Sequence, residues 1–290
     1  MHRTTAQVYR CPYSGAELEL RAEPPHTLEI REGTLISSQG RRYPIRDGVP
    51  RLIDQDREVF GVEEKEQYEM YQAAGDSYDL DVDWLVQFFR ENEEALRIKV
   101  HDLLELKPNS RVLETGCGTC RDSIYLARRL GPEGELFLQD LSANMLEQGR
   151  RRMATERPRQ AESCKIEFFE GNAAHLPFAD EFFDAAYHFG GLNFFSDKKQ
   201  AIAEMTRVVR HGGKVVIGDE GLAPWLRNTP YGDTLTNACQ HYLHDAPLDS
   251  LPDCAREVSV RWLVGNAYYV IDYRVGDGPP NVDVTLLVSG

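Results

Sequence analysis

The chain has 290 residues, of which 41% are hydrophobic and 28% charged, which is typical of a globular protein. No apolar run approaches the roughly 20 residues that a membrane-spanning helix needs, and no apolar signal segment opens the sequence. The net charge is −14, with the acidic excess after residue 60, so the basic footprint that nucleic acid requires is not expected. Six scattered cysteines favour a reducing cytoplasm.

The first part of the chain has two regions of different character. Residues 1–53 contain short β-type runs broken by turns, with Asp47-Gly48 as a hairpin signal, and predict a small β domain. Residues 54–106 predict a helical lead-in and cap, because Trp84, Phe88 and Leu96 recur at helical spacing.

From residue 107 to the end, strands and helices alternate. This order predicts an α/β domain with a doubly wound, mostly parallel sheet. Residues 222–256 interrupt the alternation and are interpreted as a lid insertion. The final segments, 267–275 and 282–289, predict an antiparallel hairpin separated by a Gly- and Pro-rich turn.

One strand–turn–helix unit carries the functional signal. Gly116 and Gly118 directly follow a buried strand, where glycine permits a sharp turn and close approach of a ligand. Asp140 ends the next strand, where a carboxylate can accept hydrogen bonds from both hydroxyls of a ribose. Arg121 replaces the third glycine of a nicotinamide fingerprint, so the pattern indicates a nucleoside ligand without a pyrophosphate.

Four segments in succession resemble the motifs of class I S-adenosylmethionine-dependent methyltransferases, closest to their quinone-biosynthesis-like branch. They are VLETGCGT, FLQDLSANML, GNAAHLPFADEFFDAAY and AIAEMTRVVRHGGKVVI. The resemblance covers about half of the chain. It implies a seven-stranded sheet, S-adenosyl-L-methionine as cofactor and methyl transfer as the reaction.

The resemblance also implies roles for individual residues. Glu114, Gly116 and Gly118 would border the methionine half of the cofactor, and Asp140 would hold its ribose. The remaining residues would contact the adenine or lie below the sulfonium: Leu141, Met145, Asn172, Ala173 and His188. Cys120 departs from the family pattern, which usually has glycine there, and Asn172 stands where Asp is frequent.

The N-terminal region resembles a small zinc-ribbon-like domain that also occurs fused to methyltransferases. The resemblance implies two cysteine pairs, but this chain has Cys11 alone in the region. One thiolate cannot complete a tetrahedral zinc site, so we predict a β domain that holds no metal.

The acceptor site is expected in the segments that the cofactor motifs do not use. Aromatic residues there predict a lid over a small, largely apolar or aromatic acceptor. The candidates are Tyr68, Tyr71, Tyr78, Trp84, Phe88, Trp225, Tyr231, His241, Tyr242 and His244. His188 is the candidate general base, with a wall of the cofactor pocket as its alternative role.

Two other readings stay open at this point. The chain could methylate RNA or protein, or it could bind the cofactor without catalysis. We expect a cytoplasmic monomer or homodimer with no nucleic acid partner and no membrane span. The Cys117-x-x-Cys120 spacing would also suit a redox pair, but these positions already belong to the proposed cofactor loop.

Overall fold

The computed structural model describes residues 1–53, 69, 77–156 and 163–279. Eleven strands occur in these ranges: β1 Leu18–Glu23, β2 Glu32–Ser37, β3 Arg42–Arg46, β4 Val49–Leu52, β5 Arg111–Thr115, β6 Glu135–Asp140, β7 Lys165–Gly171, β8 Phe183–Phe189, β9 Val209–Glu220, β10 Ala255–Leu263 and β11 Tyr268–Val275. The α-helices in the same ranges are α1 Arg3–Ala6, α2 Ser77–Phe88, α3 Glu93–His101, α4 Ser123–Arg129, α5 Ala143–Glu156, α6 Lys198–Val208 and α7 Pro230–Ala238. Each of them is too short or too polar to span a bilayer.

The strands form one sheet in the order β1-β2-β3-β4-β7-β6-β5-β8-β9-β11-β10. Pairing is parallel from β4 through β9, and antiparallel among β1 to β4 and among β9, β11 and β10. The prediction of an α/β fold with a mostly parallel central sheet is therefore confirmed. The carboxyl ends of β5 to β8 meet at one edge, which is where ligands bind in such sheets.

The N-terminal strands extend the central sheet, so the expected separate β domain is not what the structure shows. The Asp47-Gly48 turn joins β3 to β4, with both residues at positive φ, as a tight hairpin requires. Leu52 of β4 is then paired with Gly171 of β7. Tyr9 lies among the central aromatic side chains, with its ring centroid 5.4 Å from that of Phe178. One hydrophobic core consequently serves both parts of the chain.

The structure adds detail to the helical lead-in and corrects the expected C-terminal hairpin. The helical lead-in is divided into α2 and α3, because Arg90 adopts a φ of +54° and Asn92 caps α3 by accepting a hydrogen bond from the Ala95 N–H at 2.9 Å. The sequence predicted a hairpin between 267–275 and 282–289. The second of these segments, 282–289, lies outside the described residues. In the structure, β11 pairs with β10 on one edge and with β9 on the other.

The insertion at 222–256 is mainly helical. It contains α7 and short helical turns at Pro224–Leu226, Gln240–Leu243 and Leu248–Ser250. Leu222, Leu235 and Tyr242 pack with Val264 and Tyr268 in a small cluster of their own. This cluster covers the edge of the sheet near the carboxyl end of β9.

Candidate functional site

A cavity of about 400 Å³ opens at the carboxyl ends of the parallel strands. This volume lies in the range of small-molecule sites. All nine residues predicted to contact the cofactor line this one cavity: Glu114, Gly116, Gly118, Asp140, Leu141, Met145, Asn172, Ala173 and His188. The sequence motifs, which are up to 74 positions apart along the chain (Glu114 to His188), are thus brought together by the sheet.

The loop after β5 is fixed by hydrogen bonds from its own backbone. Gly116 and Gly118 have φ values of +62° and +52°. A side chain on Gly116 would come within 2.9 Å of the His188 ring, so this position needs glycine for space as well as conformation. The Gly116 N–H donates to Gln139 Oε1 at 3.2 Å, and the Gly118 N–H donates to Asp140 Oδ2 at 2.8 Å.

Asp140 holds two loops at once. Its Oδ2 accepts from Gly118, and its Oδ1 accepts from the Ser142 N–H at 2.8 Å. Burial raises the pKa of the Asp140 carboxyl to about 6, although these N–H donors favour its charged form. Each carboxylate oxygen has a second lone pair, so Asp140 can still accept hydrogen bonds from ligand hydroxyls.

Glu114 provides a second carboxyl group inside the cavity wall. It is 3% exposed, and its Oε2 atom has no hydrogen-bond partner among the described residues. Burial, followed by the charge of Asp122, raises the pKa of Glu114 well above its ordinary value. A buried polar atom without a partner is costly, so this oxygen is suited to a cationic or N–H donor of a ligand.

Cys120 occupies a backbone conformation that glycine normally adopts, with a φ of +62°. Its side chain is buried and fits against helix α5 at Gly149. A Cβ added to Gly149 would lie 2.5 Å from Cys120 Sγ. The missing glycine of the cofactor loop is thus compensated by a glycine in the facing helix.

His188 is completely buried at the end of β8. Its Nδ1 lies 2.9 Å from the Thr115 carbonyl oxygen and 3.0 Å from Thr115 Oγ1. Donation from Nδ1–H to that carbonyl leaves the lone pair on Nε2. Burial lowers the pKa of His188 to about 4, so its ring is neutral at pH 7. This geometry supports the pocket-wall role, and the general-base role stays a prediction.

A network of ion pairs closes the cavity on the side of α2 and α3. Asp79 accepts a hydrogen bond from Thr119 Oγ1 at 2.8 Å and pairs with Arg152 at 2.5 Å. The Arg121 guanidinium forms an ion pair at 2.7 Å with the carboxylate of Glu93, which is the first residue of α3. The cofactor loop is thereby clamped to the lead-in helices by charge-assisted hydrogen bonds.

The aromatic candidates for the acceptor site are only partly brought together. His241 lines the cavity, whereas Tyr242 is buried beside it against Phe89 and Tyr268. The other described candidates do not line the cavity: Trp84, Phe88, Trp225, Tyr231 and His244. Trp84 and Phe88 stack on each other with exposures of 64% and 52%, because α2 turns Val82, Leu85 and Val86 towards the cavity instead. Tyr68, Tyr71 and the Tyr78 side chain lie outside the described residues.

Several residues that line the cavity were not predicted, and three of them contribute to the site in distinct ways. Gln139 on β6 accepts a hydrogen bond from the Gly116 N–H. Glu220 at the end of β9 and Phe194 after β8 line the part of the cavity away from the predicted cofactor residues. Glu220 is the last residue of its strand, as Asp140 is, and this position was the sequence signal that could have identified it.

Cys11 makes a protein contact in the N-terminal region. Its Sγ lies 3.2 Å from the Tyr43 hydroxyl, and both residues are buried. Within the described part of the chain, no cluster of three or more His, Cys, Asp or Glu side chains could hold a metal ion. The metal-free state remains a prediction.

Part of the chain is similar in sequence to known methyltransferases. Residues 112–213 match a family described as a methyltransferase domain. The chain is 33% identical over 153 residues to demethylmenaquinone methyltransferase of Bacillus mycoides and 34% identical to that of Bacillus cytotoxicus. Each match covers 53% of this chain and 61% of the relative, so the chain spans less than two thirds of those proteins.

A solved structure shares the fold. Phosphoethanolamine N-methyltransferase 2 of Haemonchus contortus, in complex with S-adenosyl-L-methionine, superposes with a TM-score of 0.50 and 12% identity. The match covers 67% of this chain and 56% of that one. Together with the family match, it shows that residues 112–213 are similar to a methyltransferase domain and that the chain has the fold of such a domain.

Proposed function

We propose that this chain is an S-adenosylmethionine-dependent methyltransferase that acts on a small, largely apolar or aromatic molecule. The observation that carries the proposal is the convergence of all nine motif residues on one cavity whose remaining walls are mostly apolar. The relatives named demethylmenaquinone methyltransferase support a small-molecule acceptor.

The residues present fit S-adenosyl-L-methionine. Asp140 would accept from its ribose hydroxyls, and the unpartnered Glu114 Oε2 would face a donor of its methionine part. Gly116 and Gly118 leave room for close approach of the ligand to the backbone. Leu141 and Met145 would pack against the adenine, with Asn172 and Ala173 at its polar edge.

When bound, the cofactor supplies an electrophilic methyl group, so the protein mainly has to align the acceptor and exclude water. Val82, Leu85 and Val86 of α2 contribute an apolar wall for this purpose. The clamp formed by Asp79, Thr119 and Arg152 holds that wall against the cofactor loop. We propose that His188 shapes the cavity floor below Gly116 as a neutral side chain.

The charged residues that line the cavity favour a small acceptor over RNA. Among the described residues, the cations that line the cavity are Arg97 and Arg121, and both are paired with carboxylates. No described cation is therefore left free in the cavity for a phosphate backbone. A cytoplasmic location and a monomeric or homodimeric state are part of the proposal.

The test has two steps. Titration calorimetry with S-adenosylmethionine and S-adenosylhomocysteine should give saturable binding at one site per chain. Incubation with methyl-labelled cofactor and a metabolite extract, followed by mass spectrometry, should then place the label in a low-molecular-weight product. Label found only in RNA or protein would contradict the small-molecule acceptor, and binding without any transfer would favour a non-catalytic cofactor-binding protein.

A further inference from the structure

The cavity has a second half that the cofactor residues do not explain. In the sheet, β9 and β11 lie on the opposite side of β5 from β6 and β7, which provide Asp140 and Asn172. The walls of this half are apolar and aromatic: Leu85, Val86, Phe189, Phe194, Val264 and Tyr268. A carboxylate, Glu220, enters it from the end of β9.

Glu220 is held in place by its neighbours. Tyr268 lies directly opposite it in the β9–β11 register and donates from its hydroxyl to Glu220 Oε1 at 3.1 Å. The Tyr268 ring is 6% exposed and stacks on Phe189 with a centroid distance of 6.0 Å. The Glu220 carbonyl accepts from Asn193 Nδ2 at 2.7 Å, which ties the strand end to the loop after β8.

Glu220 has no cationic partner among the described residues. No Lys, Arg or His forms an ion pair with it in the described ranges, while Arg97 and Arg121 are paired with other carboxylates. The neighbouring Asp219 is fully buried and accepts N–H bonds from Gly191, Asn193 and Glu220 at 3.2, 2.6 and 2.8 Å. Burial and the nearby Glu220 raise the pKa of Asp219, as expected where two carboxyl groups share an apolar site.

We propose that Glu220, positioned by Tyr268, binds the methyl acceptor through a hydrogen-bond donor of that molecule. The Tyr268 hydroxyl uses only part of the accepting capacity of this carboxylate, so its other lone pairs can accept from a donor of the ligand. The acceptor would therefore have an apolar or aromatic body and carry a hydroxyl or an ammonium group. This inference rests on the proposed methyltransferase function and adds the residue that selects the acceptor.

The test uses the full-length protein saturated with S-adenosylhomocysteine and three calorimetric probes of similar shape. The probes are 1-naphthol, 1-naphthylmethylamine and 1-methoxynaphthalene, the last of which has no donor. The wild type should bind at least one donor-bearing probe about tenfold or more tighter than 1-methoxynaphthalene, and Glu220→Leu should abolish that preference. Glu220→Gln should spare a hydroxyl probe, because its carbonyl still accepts, and should weaken an ammonium probe.

Two further variants serve as comparisons. Tyr268→Phe keeps the ring but removes the hydroxyl that holds Glu220, so it should reduce the preference only partly. Glu91→Gln removes another carboxylate that borders the cavity, from the segment between α2 and α3, and should keep the preference.

The outcomes separate this inference from the proposed function. Failure of the wild type to bind S-adenosylhomocysteine would overturn the proposed function itself. Given that binding, the Glu220 inference is overturned if the wild type shows no preference for a donor, or if both Glu220 variants retain it for both donor probes. A more than threefold loss of S-adenosylhomocysteine affinity in Glu220→Gln would also overturn it, because Glu220 would then belong to the cofactor site.

Discussion

At the residue scale, Asp140 combines a structural and a binding function. Its two oxygens hold the backbone at Gly118 and Ser142, and the same carboxylate is the proposed ribose acceptor. Both functions favour the ionised form, while burial opposes it and raises the pKa to about 6. Cofactor affinity should therefore depend on Asp140 both through the loop backbone that it holds and through its proposed contact with the ribose.

We expect Asp140→Ala to weaken cofactor binding by roughly 2–4 kcal/mol, because two buried hydrogen bonds are lost and the loop is released. Calorimetry with S-adenosylhomocysteine at pH 7.5 measures the effect. Glu147→Ala, on the exposed side of α5, is a suitable control and should bind normally. A change of less than threefold in Asp140→Ala would show that the ribose lies elsewhere.

The raised pKa of Asp140 also predicts a pH dependence. Ribose hydroxyls donate to the ionised carboxylate, so a protonated Asp140 must lose its proton before the cofactor binds. Affinity should fall as pH drops below about 6, by up to about tenfold per pH unit, and should level off above about 7. The stability of the ligand-free fold should depend on pH in the opposite direction. Because the pKa of Asp140 is raised in the folded state, this group stabilises the fold at low pH, and its contribution disappears as pH rises through about 6. An unchanged slope in Asp140→Asn would assign the effect to another group.

Cys120 and Gly149 form a second residue-scale pair. Gly149→Ala should destabilise the fold by roughly 1–3 kcal/mol, since its methyl group would overlap Cys120 Sγ. In the Cys120→Gly background the same change should cost less, because the sulfur is gone and the loop keeps a residue that favours positive φ. Denaturant unfolding of the two single variants and the double variant gives the coupling energy, and additive effects would refute direct contact.

At the element scale, the strands of the central sheet could be predicted from sequence because they are continuous apolar runs between glycines and charged turns. The site was predictable for the same reason, since its motifs follow strand ends. The face of α2 was not predictable. This helix has apolar side chains on both faces, so periodicity alone cannot tell that Leu85 and Val86 turn inward while Trp84 and Phe88 turn outward. Strand β10 was missed because it is an edge strand with no fully buried side chain, so its sequence lacks a continuous apolar run.

The clamp between α2 and the cofactor loop gives an element-scale prediction. Asp79→Ala removes the acceptor for Thr119 and Arg152, so α2 should exchange its amide hydrogens faster and cofactor affinity should fall about tenfold. Hydrogen exchange and calorimetry measure the two effects. Asp83→Ala, which removes a more exposed pair with Arg121, is the matched control and should change both much less.

At the scale of the whole molecule, the N-terminal region behaves as part of the central domain. The sequence indicated a separate unit because residues 1–53 consist of short β-type runs and resemble a small zinc-ribbon-like domain. The structure instead pairs β4 with β7 and places Thr5 Oγ1 2.7 Å from Glu167 on the same strand. These long-range contacts join chain segments more than 100 residues apart and could not be read from local patterns.

A shared core predicts a single cooperative unfolding transition for the full chain. Tyr9→Ala should lower the stability of the whole molecule by roughly 3–5 kcal/mol, because this fully buried ring packs against Phe169 and Phe178, which lie in and after strand β7 of the central sheet. Scanning calorimetry should show one peak that moves to lower temperature, and cofactor binding should shift that same peak upward in both proteins. Leu28→Ala, at a position that is 66% exposed, should leave the transition in place. Two resolved transitions, of which Tyr9→Ala moves only one, would mean that the N-terminal strands fold independently of the sheet that they extend.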